Sequence, residues 1–336
     1  MRVDAGSPVA VVTGASAGIG RATALALTRR GYRVALLARG RPGLDAASRD
    51  IAALGGEALA VAVDVADADA VSAAADRIVE TWGRMDLWIN NAMATVFGPV
   101  EAITPAEFRR VSDVTYLGTV HGTLAALRHM RARDHGTIVQ IGSALAYRSI
   151  PYQAPYCAAK FAARGFTDSL RCELIRDGSA VRLTMVQLPA VNTPQFDWSR
   201  SKIGRRHRPV GSVYAPEAVA EAIIAAAEGA PREAWLGLPA VQAIVGAMTI
   251  PGLLDRWLGW NADGQISHKP APPGSEDILF QPADTDHGVA GRFSDEAGAR
   301  LTAVNPAVLR GGAAAAAVAA AIGIALASRR GRSSDR

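Results

Sequence analysis

Tyr156 and Lys160 stand four residues apart in the stretch PYCAAK, a spacing that puts both side chains on one face of a helix, one turn apart. A lysine ammonium beside a phenol favours the phenolate and draws its pKa down from ~10. A phenol tuned in this way can give and take a proton near neutral pH, as a general acid/base must. Ser143 lies 13 residues upstream, at the end of the apolar run GTIVQIGS. That run reads as a strand, and the carboxyl edge of a strand is where open α/β sheets bind their ligands. A Tyr-x-x-x-Lys pair alone is common on helices, so its meaning depends on what accompanies it.

The first companion is TGASAGIG, residues 13 to 20, between the apolar run VAVV (Val9 to Val12) and a chain of helix formers from Arg21 onward. A strand that enters a helix through a glycine-rich turn exposes several backbone N–H groups at the helix N-terminus, where the dipole also favours negative charge. Such a turn can hold a pyrophosphate, because glycine lets the backbone approach the phosphates and lets the helix pack closely on the strand. The spacing Gly14, Gly18, Gly20 departs from the G-x-G-x-x-G fingerprint, and an ordinary tight strand-to-helix turn is the competing reading. The second companion is Arg39, which closes the second apolar run, VALLARG. An acidic residue at that place binds the free 2′-hydroxyl of NAD, whereas an arginine accepts a 2′-phosphate by charge-assisted hydrogen bonds. A surface arginine at a strand end is the alternative; the pattern as a whole favours NADP(H) over NAD(H).

Short apolar, β-branched runs alternate with longer Ala/Leu-rich stretches of helical spacing, the pattern of repeated βαβ units and a parallel sheet. Strands are expected over Val9 to Thr13, Arg33 to Ala38, Glu57 to Val63, Asp86 to Asn90, Gly136 to Ile141, Val181 to Gln187 and Ala234 to Gly237. Helices are expected over Gly18 to Arg30, Asp67 to Trp82, Pro105 to Arg133, Pro155 to Asp177 and Pro216 to Glu228, three of them opening at a proline. The fold class is α/β: a Rossmann-type, doubly wound parallel sheet of about seven strands flanked by helices.

Composition excludes several other classes. The chain has 336 residues, 49% of them hydrophobic, which suffices for one large α/β domain with an appendage. The net charge is +5, but four arginines against one aspartate in the last eight residues supply three of those charges. The body is nearly neutral, and the block GRRHR (Gly204 to Arg208) has no interleaved aromatics, so nucleic acid is not an expected partner. The six histidines show no metal-ligand spacing with cysteine or glutamate, and no metal is expected. Cys157 and Cys172 fall in one helical segment, which argues against a disulfide framework and fits a reducing cytoplasm. Met1 to Pro8 lacks the apolar run of a signal peptide.

Together these features resemble the short-chain dehydrogenase/reductase family over roughly residues 7 to 237. The resemblance rests on Thr13, Gly14, Gly18, Ile19 and Gly20 in the turn, Asp64 and Val65, the triplet Asn90, Asn91 and Ala92, and Ser143, Tyr156 and Lys160. It implies that Ser16 joins the cofactor turn, that Asp64 and Val65 lie beside the adenine, and that Asn91, Ala92, Pro189 and Thr193 border the cofactor. It further implies that Tyr156 exchanges the substrate proton, that Ser143 hydrogen-bonds the carbonyl oxygen and that Lys160 holds the nicotinamide ribose. Thr115, in VTYLG, replaces the family's catalytic asparagine, and its hydroxyl could still anchor a water leading to Lys160. Met93 and Ala190 stand where glycines are usual. The implied function is NADP(H)-dependent interconversion of a carbonyl and an alcohol on a small-molecule substrate, in a homo-oligomer. The alternative is a nucleotide-binding regulatory or scaffold protein with little turnover.

The expected division is a catalytic domain over 1–239 with a substrate lid over 194–214, a partly irregular extension over 240–306, and an Ala-rich helix with a basic end over 307–336. Phe196 and Trp198 either line an apolar pocket or pin the lid. Gly311 to Ser328 carries no charge and approaches the length of a bilayer crossing, but its alanine content suits a soluble packing helix as well. Spanning would also export the basic end, against the positive-inside tendency. The expected location is the cytoplasm, with membrane contact through 311–328 left open.

Overall fold

The computed structural model describes residues 6–270 and 277–308. Eight strands form one sheet: β1 (Val9–Thr13), β2 (Arg33–Ala38), β3 (Ala58–Ala62), β4 (Leu87–Asn90), β5 (Thr137–Ile141), β6 (Arg182–Gln187), β7 (Glu233–Leu236) and β8 (Ala303–Val304). Their order is β8-β7-β6-β5-β4-β1-β2-β3. All neighbours pair in parallel except β7 and β8, where the two-residue β8 returns antiparallel along the edge. The chain reverses direction across the sheet between β1 and β4, the place where a doubly wound fold opens its ligand crevice.

Because helices cover both faces, both sets of alternating side chains on the central strands are buried. Val9 and Val11 of β1 face one core cluster with α3 (Ala68–Trp82), α5 (Gly118–Arg133) and α6 (Ala154–Arg176). Ala10 and Val12 face the other, with α1 (Gly18–Arg29), α2 (Arg41–Ala53) and α7 (Pro216–Gly229). Leu27, Leu36, Leu37 and Ile89 are fully buried, each contributing about 2 kcal/mol of transfer free energy. Asp67 caps α3 by accepting the Ala70 N–H at 3.0 Å, and Gly83, with φ +73°, ends it.

Three departures from the sequence expectations bear on the site. The helix expected over Pro105 to Arg133 is broken: α4 (Pro105–Ser112) and α5 are joined by one π-helical stretch, Asp113–Leu117, which carries Thr115. The stretch after Pro239 forms α8 (Leu238–Thr249) and α9 (Pro251–Trp260) before the irregular arm begins. The arm wraps back over the domain and ends in β8, which adds an eighth strand. Cys157 is buried, Cys172 exposed, and both are free. Among the described residues no helix is long and apolar enough to cross a membrane. The stretch 311–328 lies outside the described residues.

Candidate active site

The turn between β1 and α1 is built by three glycines with different tasks. Gly14 has φ +67° and Gly18 φ +56°, a region that strains residues bearing a Cβ. A Cβ on Gly20 would stand 2.2 Å from the Gly14 carbonyl oxygen, so α1 can approach the turn only without one. Behind the turn, the Thr13 hydroxyl accepts the Asn91 and Ala92 N–H groups at 2.9 and 3.0 Å, and the Asn91 amide donates to the Thr13 carbonyl at 2.8 Å. Thr13 and Asn91 thereby join the ends of β1 and β4 at the crevice.

A cleft of about 1050 Å³, open solvent included, runs over this turn. Gly14, Ser16, Gly18 and Ile19 form its floor, with Arg39, Asp64 and Val65 on the β2–β3 side and Asn91, Ala92, Met93 and Thr193 on the β4 side. Its glycine floor, where added Cβ atoms would crowd Ala92 and Thr193, suits the close approach of a dinucleotide's phosphates. Thr13, Gly20 and Pro189 shape the surroundings without lining it, and Ser143, Tyr156 and Lys160 lie outside its lining as well.

Those three side chains meet beyond β5. Ser143 follows the strand and caps a short turn, accepting the Leu145 N–H at 3.1 Å, while its own N–H donates to Gln187 Oε1 at 2.8 Å. Tyr156 and Lys160 share one face of α6, with the Lys160 ammonium 5.6 Å from the centre of the Tyr156 ring. Lys160 is buried and donates to the Ile141 carbonyl at 2.6 Å. Burial pushes the Tyr156 phenol above its ordinary pKa, and hydrogen bonding to Ser143 only partly opposes this. Burial also pushes Lys160 down to about 8. The expected lowering of the phenol by the ammonium is not seen: desolvation sets the direction, and the opposing pull comes from Ser143.

A family model described as short chain dehydrogenase matches residues 8–204. The chain belongs to that family. An uncharacterized oxidoreductase of Bacillus subtilis (strain 168), YxnA, is 34% identical over 276 residues, which are 81% of this chain and 77% of that protein. The alcohol dehydrogenase of the archaeon Thermococcus sibiricus, solved with 5-hydroxy-NADP, is 30% identical with a TM-score of 0.56, covering 65% of this chain and 88% of that one. A metagenomic short-chain oxidoreductase solved with NADP is 31% identical with a TM-score of 0.56, covering 67% and 92%. This short-chain dehydrogenase is therefore an NAD(P)-dependent oxidoreductase acting on a small molecule.

Thr115, next to the cleft-lining Val114 in sequence, is fully buried and does not line the cleft, and its hydroxyl is engaged by the backbone. It donates to the Ala94 carbonyl at 3.0 Å and accepts the Ala94 N–H at 2.9 Å, fixing the loop after β4. Phe196 and Trp198 divide the two roles expected of them. Phe196 is buried against Phe293 and His207, whereas Trp198 lines the cleft and meets His287 edge-on. His207 stacks on Phe97 with ring centres 4.2 Å apart, and burial, aided by the nearby Arg292 charge, pushes it down to about 4. Burial would raise the Glu107 carboxyl, but Lys202 at 2.8 Å, the Thr104 N–H and Arg200 pull it down to about 2. Glu107 thus ties the segment around Arg200 and Lys202 to α4.

Sequence reasoning missed Arg110, which donates to Asp64 at 2.5 Å beside Arg39. It sits inside a helix with no motif around it, and only the fold brings it to the end of β3. The arm residues on the cleft, among them Ile278 and Thr285, were equally without a signal.

Proposed function

We propose that the chain is an NADP(H)-dependent oxidoreductase that interconverts a carbonyl and an alcohol, with Tyr156 as the general acid/base. The observation carrying this reading is the meeting of Ser143, Tyr156 and Lys160 at the carboxyl edge of the sheet, next to a cleft floored by the glycine turn. Gly14, Ser16, Gly18 and Ile19 would hold the pyrophosphate, with Gly20 and Thr13 fixing the turn. Arg39 would take the 2′-phosphate, Asp64 and Val65 the adenine, and Asn91, Ala92, Pro189 and Thr193 the nicotinamide half. The bound dinucleotide supplies or accepts the hydride. The NADP-type ligands of the two solved relatives support the cofactor, and the alcohol dehydrogenase among them supports the reaction class.

In the reducing direction the Ser143 hydroxyl donates to the substrate carbonyl oxygen and Tyr156 gives it a proton. Tyr156 enters protonated at neutral pH, because its pKa lies above the ordinary value. The Lys160 charge then stabilises the phenolate left behind. Oxidation runs the same transfers backward. The lid over 194–214 closes the substrate side, and the family's pairing of helices corresponds here to α5 and α6, where Leu124 and Phe161 are exposed.

A second reading, a nucleotide-binding scaffold with little turnover, is favoured by the engagement of the Thr115 hydroxyl with Ala94. Single-turnover kinetics with bound NADPH separate the two. The test of the first is Tyr156→Phe, assayed on a panel of carbonyls and alcohols through the absorbance of the reduced nicotinamide. The expected loss is about 10²- to 10⁴-fold in kcat, with NADPH affinity nearly unchanged. Turnover retained by the variant defeats the assignment.

A further inference from the structure

The cleft has a wall that belongs to neither the glycine turn nor the strands. Ile278, Pro282, Ala283, Thr285 and His287 of the C-terminal arm line it, the first three beside Arg39 or Gly40. There, three consecutive arm carbonyls take guanidinium donors. Arg39 donates to the Phe280 carbonyl at 3.0 Å and also to the Ile278 carbonyl. Arg110 donates through Nε to the Leu279 carbonyl at 2.9 Å. The turn presenting these oxygens is anchored from both sides: the Leu279 side chain is 2% exposed in the core cluster, and Asp277 accepts the Leu279 N–H at 3.0 Å while pairing with Arg200 at 2.8 Å.

Two guanidinium groups held side by side repel each other, and the arm's choice of acceptor matters for that reason. Asp64 is the carboxylate shared between them, 2.5 Å from Arg110 and 4.0 Å from Arg39. Two arginines against one aspartate leave a net positive charge. A carbonyl orients an arginine without cancelling that charge, whereas a second carboxylate would remove the attraction for a phosphate. Fixing the fork in advance also lowers the ordering cost of a bidentate contact.

We propose that arm residues 277–283 are part of the cofactor-specificity site: their carbonyls hold Arg39 and Arg110 in the arrangement that selects the 2′-phosphorylated dinucleotide. The inference rests on the reading of Arg39 as the 2′-phosphate ligand. It makes cofactor choice depend on a segment some 240 residues away in sequence from the arginine it serves.

Gly40 offers a way to displace the arm without touching either arginine. A Cβ there would stand 3.0 Å from the Ala283 carbonyl oxygen, and its φ of −79° accepts any residue. The experiment measures NADPH and NADH dissociation constants by fluorescence on the full chain, on Gly40→Val and on Leu279→Ser. The wild type is expected to prefer NADPH. Each variant should weaken NADPH about tenfold, the order of one charge-assisted hydrogen bond, and leave NADH within about twofold. Folded variants that keep the wild-type ratio overturn the inference, as does a parallel loss of both affinities, which would make the arm a plain wall. A wild type without any preference overturns the Arg39 reading and this inference with it. Should Leu279→Ser fail to fold by circular dichroism, Gly40→Val, at the rim of the cleft, decides alone.

Discussion

The Lys160 ammonium lies 5.6 Å from the centre of the Tyr156 ring, and burial moves the two groups in opposite directions. The phenol is pushed up and the ammonium down to about 8, because desolvation penalises whichever form carries charge. At neutral pH the pair therefore rests as a neutral phenol beside a cation. That is the state the proposed proton transfer to a carbonyl oxygen requires, with Lys160 as the counter-charge of the phenolate it would leave.

This burial has a measurable cost. The fall of Lys160 from 10.5 to about 8 corresponds to roughly 3 kcal/mol. Below pH 8 both folded and unfolded chains hold the proton and the penalty is complete. Between about 8 and 10.5 the unfolded chain binds the proton that the folded one has released, so stability rises with pH. Urea unfolding of the wild type and of Lys160→Met should show their difference moving in the wild type's favour by roughly 3 kcal/mol across that window. A difference flat with pH would mean that Lys160 is not desolvated.

The segment around His207 carries the opposite dependence. His207, at about 4 against an ordinary 6.5, stays neutral in the folded protein while the opened segment gains a proton. Its contribution is present above pH 6.5 and is lost as pH falls toward 4, by roughly 3 kcal/mol. The opening constant of the amides over 196–208, taken from hydrogen exchange after division by the intrinsic rate at each pH, should rise in the wild type as pH falls across that window. In His207→Leu, which keeps an apolar side chain against Phe97, it should stay level; an equal rise in both proteins would assign the effect elsewhere.

Thr115 separates a structural hydroxyl from a proton relay. Thr115→Val leaves the buried Ala94 N–H and carbonyl without their partner, a loss of about 2 kcal/mol or more. Thr115→Ser should restore both stability and rate. With the hydroxyl occupied as it is, kcat in the valine variant should fall by less than about tenfold, well short of the 10²- to 10⁴-fold of a lost acid/base group. A larger fall at unchanged fold would return Thr115 to the relay.

What was legible in the sequence follows from what each residue's surroundings demand. β1 and β2 were readable to their ends because burial on both faces requires unbroken apolar runs. The glycine turn after β1 was readable because its glycines answer to backbone geometry, and backbone geometry restricts residue type. α8 and α9 were not: Leu238, Met248, Leu253, Trp257 and Trp260 are exposed, α8 turns inward only the short face of Ala240 and Ile244, and α9 has no buried residue, so neither helix shows a long apolar stripe. Arg39 was legible as a strand-end cation, but its acceptors are carbonyls of Ile278 and Phe280, and a backbone acceptor leaves no trace in side-chain identity.

The two kinds of glycine make separable predictions. At Gly20 the limit is space: a Cβ would stand 2.2 Å from the Gly14 carbonyl oxygen and 2.6 Å from Asn91 Nδ2, and the first of these is backbone that must shift. Gly20→Ala should cost about 1–3 kcal/mol by overpacking and displace the floor of the cleft, weakening NADPH by more than about tenfold. At Gly83 the limit is conformation alone, since φ is +73° and nothing lies within 4 Å of a Cβ. Gly83→Ala should cost about 1 kcal/mol and leave NADPH affinity as it is. Calorimetric titration beside thermal unfolding reads both quantities. NADPH binding to Gly20→Ala at wild-type strength would remove the glycine turn from the cofactor site.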